Sequence, residues 1–257
     1  MINKDFQGPY GLTLTGKVRT VNEDSFLYTD ERNHPNNLAV IADGIGGNIH
    51  GEIASRLCCQ YFYEIWEEQK AMFINDVKEM EHFMRRTLDI VNTRIFEKNA
   101  QTDMLDNPMG TTVVAAAIMP KDIVVIHVGD SRFYEYRNGK ITCLTVDHTL
   151  IQQNKDLLLN DQNIFPPEYE LLNLITKSVG TGASIEDDDP QAPLINVTKL
   201  RQDSRYLLCS DGLSHMVDNN RIATIIKNST NNKNAVNKLV AACFSSGAAD
   251  NISIILI

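Results

Sequence analysis

Apolar residues recur along this chain in two rhythms. Leu38-Ala39-Val40-Ile41-Ala42 is a short unbroken apolar run that stops at Asp43-Gly44, the pattern of a buried strand and a turn. From His50 to Lys70 the residues Ile53, Leu57, Tyr61 and Ile65 recur every four, which predicts a helix. Val77, Met80, Met84, Leu88, Val91 and Ile95 repeat that spacing in a second, longer helix, and Asn107-Pro108-Met109-Gly110 breaks the chain after it. Strand-like runs follow at Thr111 to Ile118, Ile123 to Val128, Phe133 to Tyr136 and Lys140 to Leu144. Pro120-Lys121-Asp122 and Arg137-Asn138-Gly139 serve as hairpin turns between them. Asp147 to Leu159 reads as helical, and Asn160 to Leu174, with Pro166-Pro167, has no period. Leu194 to Lys199 and Ser204 to Cys209 read as strands, and Asn219 to Lys227 and Lys233 to Ser245 as helices. The almost wholly apolar Ile252 to Ile257 is expected mid-sheet.

Two consecutive helices followed by strands joined through tight turns do not alternate as a parallel sheet requires. The expectation is an α+β fold of antiparallel sheets with helices packed outside. No linker divides the chain, so residues 1–257 are expected to form one domain.

Composition narrows the function classes. Hydrophobic residues make up 43% and charged residues 22% of 257, which excludes a disordered tail, a collagen-like chain and a transmembrane bundle. Lys plus Arg is 24 against 33 Asp plus Glu, a net charge of −9. That balance argues against a nucleic-acid surface and suits cation binding wherever carboxylates converge. No window approaches the roughly 18 apolar residues of a membrane span. Met1 to Asp5 has no apolar signal core, so a cytoplasmic protein is expected. The five cysteines are odd in number and form no C-x-x-C pair, as expected of buried free thiols.

Five acidic sites adjoin predicted strands: Asn22-Glu23-Asp24-Ser25, Asp43-Gly44, Gly129-Asp130-Ser131, Ser210-Asp211-Gly212 and Asp250-Asn251. Taken singly, each reads as a turn, because Asp hydrogen-bonds its own backbone there. Together they change the picture. A carboxylate at the end of a buried strand is costly unless paired or bound to a metal. Only Arg19 and Arg132 stand near any of them in sequence. Oxygen donors without counter-charge are what Mg²⁺ or Mn²⁺ requires. The acidic run Glu186-Asp187-Asp188-Asp189 reads instead as a solvated loop.

Read in order, Arg19-Thr20-Val21-Asn22-Glu23-Asp24, Asp43-Gly44-Ile45-Gly46-Gly47, Gly110-Thr111-Thr112, Gly129-Asp130-Ser131-Arg132, Asp147-His148, Ser210-Asp211-Gly212-Leu213 and Asp250-Asn251-Ile252-Ser253 resemble the motifs of the type 2C metal-dependent protein phosphatases. The DGIGG form is similar to the bacterial branch, and the likeness spans residues 16 to 257. The resemblance implies a central β-sandwich of two antiparallel sheets flanked by helices, and hydrolysis of phosphoserine and phosphothreonine in proteins. It implies that Asp43 bridges two Mg²⁺ or Mn²⁺ ions, with the Gly44 carbonyl on one of them. Asp211 and Asp250 would hold the first ion, and Glu23 and Asp24 would serve the second, directly or through water. Asp130 would belong to a third, weaker ion, and Arg19 would bind the substrate phosphate. Two such ions bridging a water would lower its pKa and supply the attacking hydroxide.

Other phosphatase chemistries are absent. No cysteine has an arginine six residues on, and there is no D-x-D-x-T, no R-H-G and no G-D-x-H-G. Ile45 stands where eukaryotic members carry a histidine proposed as general acid, and His148, nearest to a motif, reads as a structural hydrogen-bonder. The expected partners are phosphorylated proteins and a Ser/Thr kinase, in bacterial signalling, with no nucleic acid and no membrane, for a monomer. The competing reading is a non-catalytic relative that binds phosphoproteins. All five carboxylate sites are present, which disfavours it.

Overall fold

In this computed structural model the described residues are 8–30, 36–45, 50–69, 72, 76–102, 107–153, 174–189 and 192–257. The unbroken apolar runs have a simple cause. Each such strand is covered on both faces, so every side chain is buried whichever way it points. In β3 (Asn37–Asp43), Leu38, Val40 and Ala42 pack toward helices, while Ala39 and Ile41 enter a cluster drawn from both sheets.

Ten strands form two five-stranded antiparallel sheets. One has the order β1 (Tyr10–Leu14), β10 (Ile252–Leu256), β9 (Ser204–Cys209), β6 (Arg132–Arg137), β7 (Lys140–Cys143). The other has the order β2 (Asp24–Tyr28), β3, β4 (Val113–Ile118), β5 (Asp122–Val128), β8 (Ile195–Lys199). Between them lie Ile41, Val114, Val125, Phe133, Tyr206, Leu208 and Ile255. Outside the second sheet pack α1 (Gly51–Gln69) and α2 (Val77–Gln101), with Trp66 against Phe83 at 6.1 Å between ring centroids. Outside the first pack α5 (Asn219–Lys227) and α6 (Asn232–Ser245). Two short helices, α3 (Leu150–Gln153) and α4 (Asp211–Ser214), complete the set among the described residues. Asp76, Asp218 and Asn231 cap α2, α5 and α6 by accepting from backbone N–H groups three residues on. The α+β sandwich expected from the sequence is the one observed, and β10 lies inside its sheet.

Three expectations need correction. Tyr10–Leu14 and Asp24–Tyr28 are strands that the apolar pattern does not mark. The helix expected over Asp147 to Leu159 is only Leu150–Gln153 among the described residues. Asp147 is instead occupied with Arg132, and Thr149 bridges Ile175. Gly46, Gly47 and most of Asn160 to Leu174 lie outside the described residues.

The pairing gathers one end of the sandwich. Asp24 opens β2 opposite Asp43, which closes β3. Cys209, at the end of β9, pairs with both Ile254 and Arg132. The turn at Gly129-Asp130 carries the chain from one sheet to the other, so both sheets present their acidic ends at the same edge.

Candidate active site

At that edge opens a cleft of about 770 Å³, lined by Arg19, Glu23, Asp43, Gly44, Asp130, Asp211 and Asp250, with Ile45, Leu174, Ile175, His215 and Asn251. Five carboxylates from five separated stretches of chain thus share this cleft with the Arg19 guanidinium. Asp24 does not line the cleft. It lies buried behind it, one oxygen accepting from Ser210 Oγ at 2.8 Å and the other, Oδ1, without a partner.

Local packing fixes each carboxylate. The backbone at Asp43 is pinned by the two residues leading into β4: its N–H donates to Thr112 Oγ1 at 3.1 Å, and its carbonyl accepts from Thr112 N at 2.8 Å and Thr111 Oγ1 at 2.9 Å. Gly44 lets the start of α1 abut the end of β3. A methyl group there would collide with the backbone of Gly51 and lie 2.7 Å from the Glu23 carbonyl oxygen. Asn251 staples the Arg19 loop, donating to the Thr15 and Val21 carbonyls at 2.9 and 3.0 Å and accepting from Glu23 N at 2.8 Å. Asp211 begins α4 beside Asn251, an approach that requires Gly212, because any Cβ there would overlap the Asn251 carbonyl oxygen.

The charges are poorly balanced. Arg19 Nη2 donates to Asp250 Oδ2 at 2.9 Å, with Glu23 4.0 Å from Nη1. Arg132, the other basic residue near these motifs, is spent on Asp147 at 2.6 Å. The carboxyls respond. Burial first, then Asp24, Asp211, Asp130 and Asp250, push Asp43 well above the usual range. Burial raises Asp24 to about 6, against the hydrogen bonds from Ser253 and Ser210. Burial and then Asp211 raise Asp130 to about 7, and burial raises Glu23. Deprotonated, this set holds more negative charge than Arg19 can offset. Hard divalent cations with oxygen ligands relieve such a cluster, and the donor set and the orphaned Asp24 oxygen fit them.

His148 is structural. Its Nδ1 accepts from Gly129 N at 3.1 Å and its Nε2 donates to the Ala192 carbonyl at 2.9 Å, which ties the Asp130 turn to the neighbouring loop. His215 was not anticipated. It lines the cleft with Nδ1 3.3 Å from Asp211 Oδ2, and its only trace in the sequence is a spacing of four from Asp211.

A family model described as Protein phosphatase 2C matches residues 17–251. A serine/threonine phosphatase, stp, of Listeria monocytogenes is 30% identical over 249 residues, covering 95% of this chain and 93% of its own. The solved serine/threonine phosphatase of S. agalactiae superposes with a TM-score of 0.84 at 28% identity, over 97% of this chain and 98% of that one. The catalytic domain of PstP, solved in complex with 2 manganese ions, superposes with a TM-score of 0.75 at 27% identity, over 97% and 96%.

Proposed function

The chain belongs to the protein phosphatase 2C family, and from that premise we propose how its cleft works. The protein is a bacterial-type, metal-dependent serine/threonine protein phosphatase, and its substrates are phosphoproteins. The observation that carries the reading is the convergence of Glu23, Asp43, Asp130, Asp211 and Asp250 on one cleft with Arg19 as their only guanidinium among the described residues. In this reading Asp43, Asp211 and Asp250 would hold one Mg²⁺ or Mn²⁺ ion. Asp43, the Gly44 carbonyl and Glu23 would hold a second, with Asp24 behind them serving it directly or through water, and Asp130 would serve a third, weaker one. Bound there, such ions neutralise the phosphoryl oxygens and lower the pKa of water in their shell.

The chain's own residues do the rest. Arg19 grips two phosphoryl oxygens with its planar fork and orients the ester. Asn251 keeps Glu23 and the Arg19 loop in register, and Ser210 and Ser253 hold the deeper layer behind Asp24. Ile45 brings no proton donor to the rim. We read the chain as one catalytic domain, 1–257, acting as a cytoplasmic monomer opposite a Ser/Thr kinase. Among the described residues no helix is long and apolar enough to cross a membrane.

The test is hydrolysis of p-nitrophenyl phosphate and of a phosphothreonine peptide with Mn²⁺ or Mg²⁺. EDTA should abolish turnover, and Asp43→Asn should lower it at least about a hundredfold, the scale of losing one electrostatic contact to the transition state. Undiminished turnover in EDTA would overturn the metal assignment.

A further inference from the structure

One cleft residue has no part in that scheme. His215 caps the C-terminus of α4, its side chain 40% exposed, with Nδ1 3.3 Å from Asp211 Oδ2. Asp130 arrives from the turn between the sheets, and one ligand atom each from Asp130, Asp211 and His215 lies within 4.8 Å of the other two. Asp130 is only 6% exposed, and among the described residues no other residue donates a hydrogen bond to its carboxylate. Ligands sit roughly 2.1 Å from such an ion, so adjacent donors lie roughly 3 Å apart and opposite ones roughly 4.2 Å. His215 Nδ1 and Asp211 Oδ2, 3.3 Å apart, stand at the spacing of adjacent donors, and a carboxylate oxygen of Asp130 lies within 4.8 Å of the pair.

We propose that His215 is a metal ligand, and that Asp130, Asp211 and His215 form a mixed oxygen–nitrogen site selecting a first-row transition dication over Mg²⁺. The imidazole is the deciding donor. Carboxylates alone serve Mg²⁺ and Mn²⁺ alike, whereas a ring nitrogen suits transition metals and is a poor exchange for the water Mg²⁺ retains. The proposal rests on the reading of the cleft as metal-holding, and it assigns a residue and a preference which that reading leaves open.

The probe is Mn²⁺, titrated into the full chain without and then with Mg²⁺ as competitor. Free Mn²⁺ is counted by room-temperature EPR, and bound Mn²⁺ in frozen samples is examined by pulsed EPR for coupling to ¹⁴N. Wild type should show imidazole-nitrogen modulation as the weakest class of sites fills. His215→Ala should lose it and weaken that class about tenfold or more, with Mg²⁺ affinity there nearly unaltered. Asp130→Asn should lose the same modulation with the histidine still in place. The half-exposed position of His215 makes its replacement compatible with folding, and a thermal melt checks this. Mn²⁺ bound without nitrogen modulation, or modulation that survives His215→Ala, overturns the proposal and leaves the phosphatase reading standing. Failure of wild type to bind Mn²⁺ at all overturns both.

Discussion

Arg19 donates to Asp250 at 2.9 Å, a contact equally suited to steadying a metal ligand and to parking a guanidinium that later grips phosphate. Asp250 and Glu23 raise its pKa further, so it is a cation throughout. The two jobs separate by measurement. If Arg19 holds phosphate, Arg19→Ala lowers kcat/KM about ten- to a hundredfold, because charge-assisted hydrogen bonds are worth about 1.5–3 kcal/mol. KM should carry much of that loss. Metal affinity should hold or tighten, since a neighbouring positive charge is gone. Arg19→Lys should recover only part, because an ammonium cannot reproduce the fork. Calorimetric metal titration beside steady-state kinetics checks this. A tenfold weaker metal site with unaltered KM would make Arg19 a support for Asp250 instead.

Among the elements, the loops ending β9 and preceding β10 are interlocked. Gly212 lies under the Asn251 carbonyl, Ser210 Oγ accepts from Ser253 N at 3.0 Å, and Ser210 N donates to the Ser253 carbonyl at 3.1 Å. Gly212→Ala forces these backbones apart, as overpacking against atoms that cannot rotate away. It should cost about 3 kcal/mol and most of the turnover, read by denaturant unfolding and the phosphatase assay. A loss below about 0.5 kcal/mol would show that the two loops are free to part. How legible these elements are in sequence follows from where they lie. β3, β9 and β10 are covered on both faces and show as apolar runs. β1 and β2 are edge strands, mostly half-buried, whose mixed sequences YGLTL and DSFLY show neither a run nor a clean alternation. The carboxylates were legible because each stands at a strand end. The depth of Asp24 was not, since it depends on the pairing of β2 with β3. Nor was His215, because nothing near it in sequence marks Asp130 as its neighbour.

At the scale of the molecule, pH and metal act on the same charges. Asp24 and Asp130 titrate at about 6 and about 7 when folded, against 3.8 as the ordinary value. A folded pKa above the unfolded one contributes stability that is full below about 3.8 and lost as pH rises through the folded values. His127, buried and stacked on His148 at 4.7 Å, works the other way. Burial, then His148, lower it to about 4 from 6.5, so its contribution is present above 6.5 and lost as pH falls toward 4. Between pH 6.5 and 8 the raised carboxylates act, and His215, held above 6.5 first by its hydrogen bond with Asp211, acts in the same direction. In EDTA, Tm should therefore fall across that window, and saturating Mn²⁺ should flatten or reverse the slope, because a cation favours ionised ligands. A Tm in EDTA that rises from pH 6.5 to 8 would contradict this charge balance. The pairing of β1 with β10, Leu14 opposite Ile252, bears on time as well as on shape. A ribosome completes β2 through β5 while β1 still lacks its neighbour, and the slot between β1 and β9 stays open until the residues of β10 exist. Asp250 is translated just ahead of that strand, so a chain made only as far as β9 lacks both the strand that fills the slot and one carboxylate of the cleft. On the proposed assignment of Asp250, fold and cleft are thus completed together, by the strand that seals the sheet and the carboxylate that precedes it.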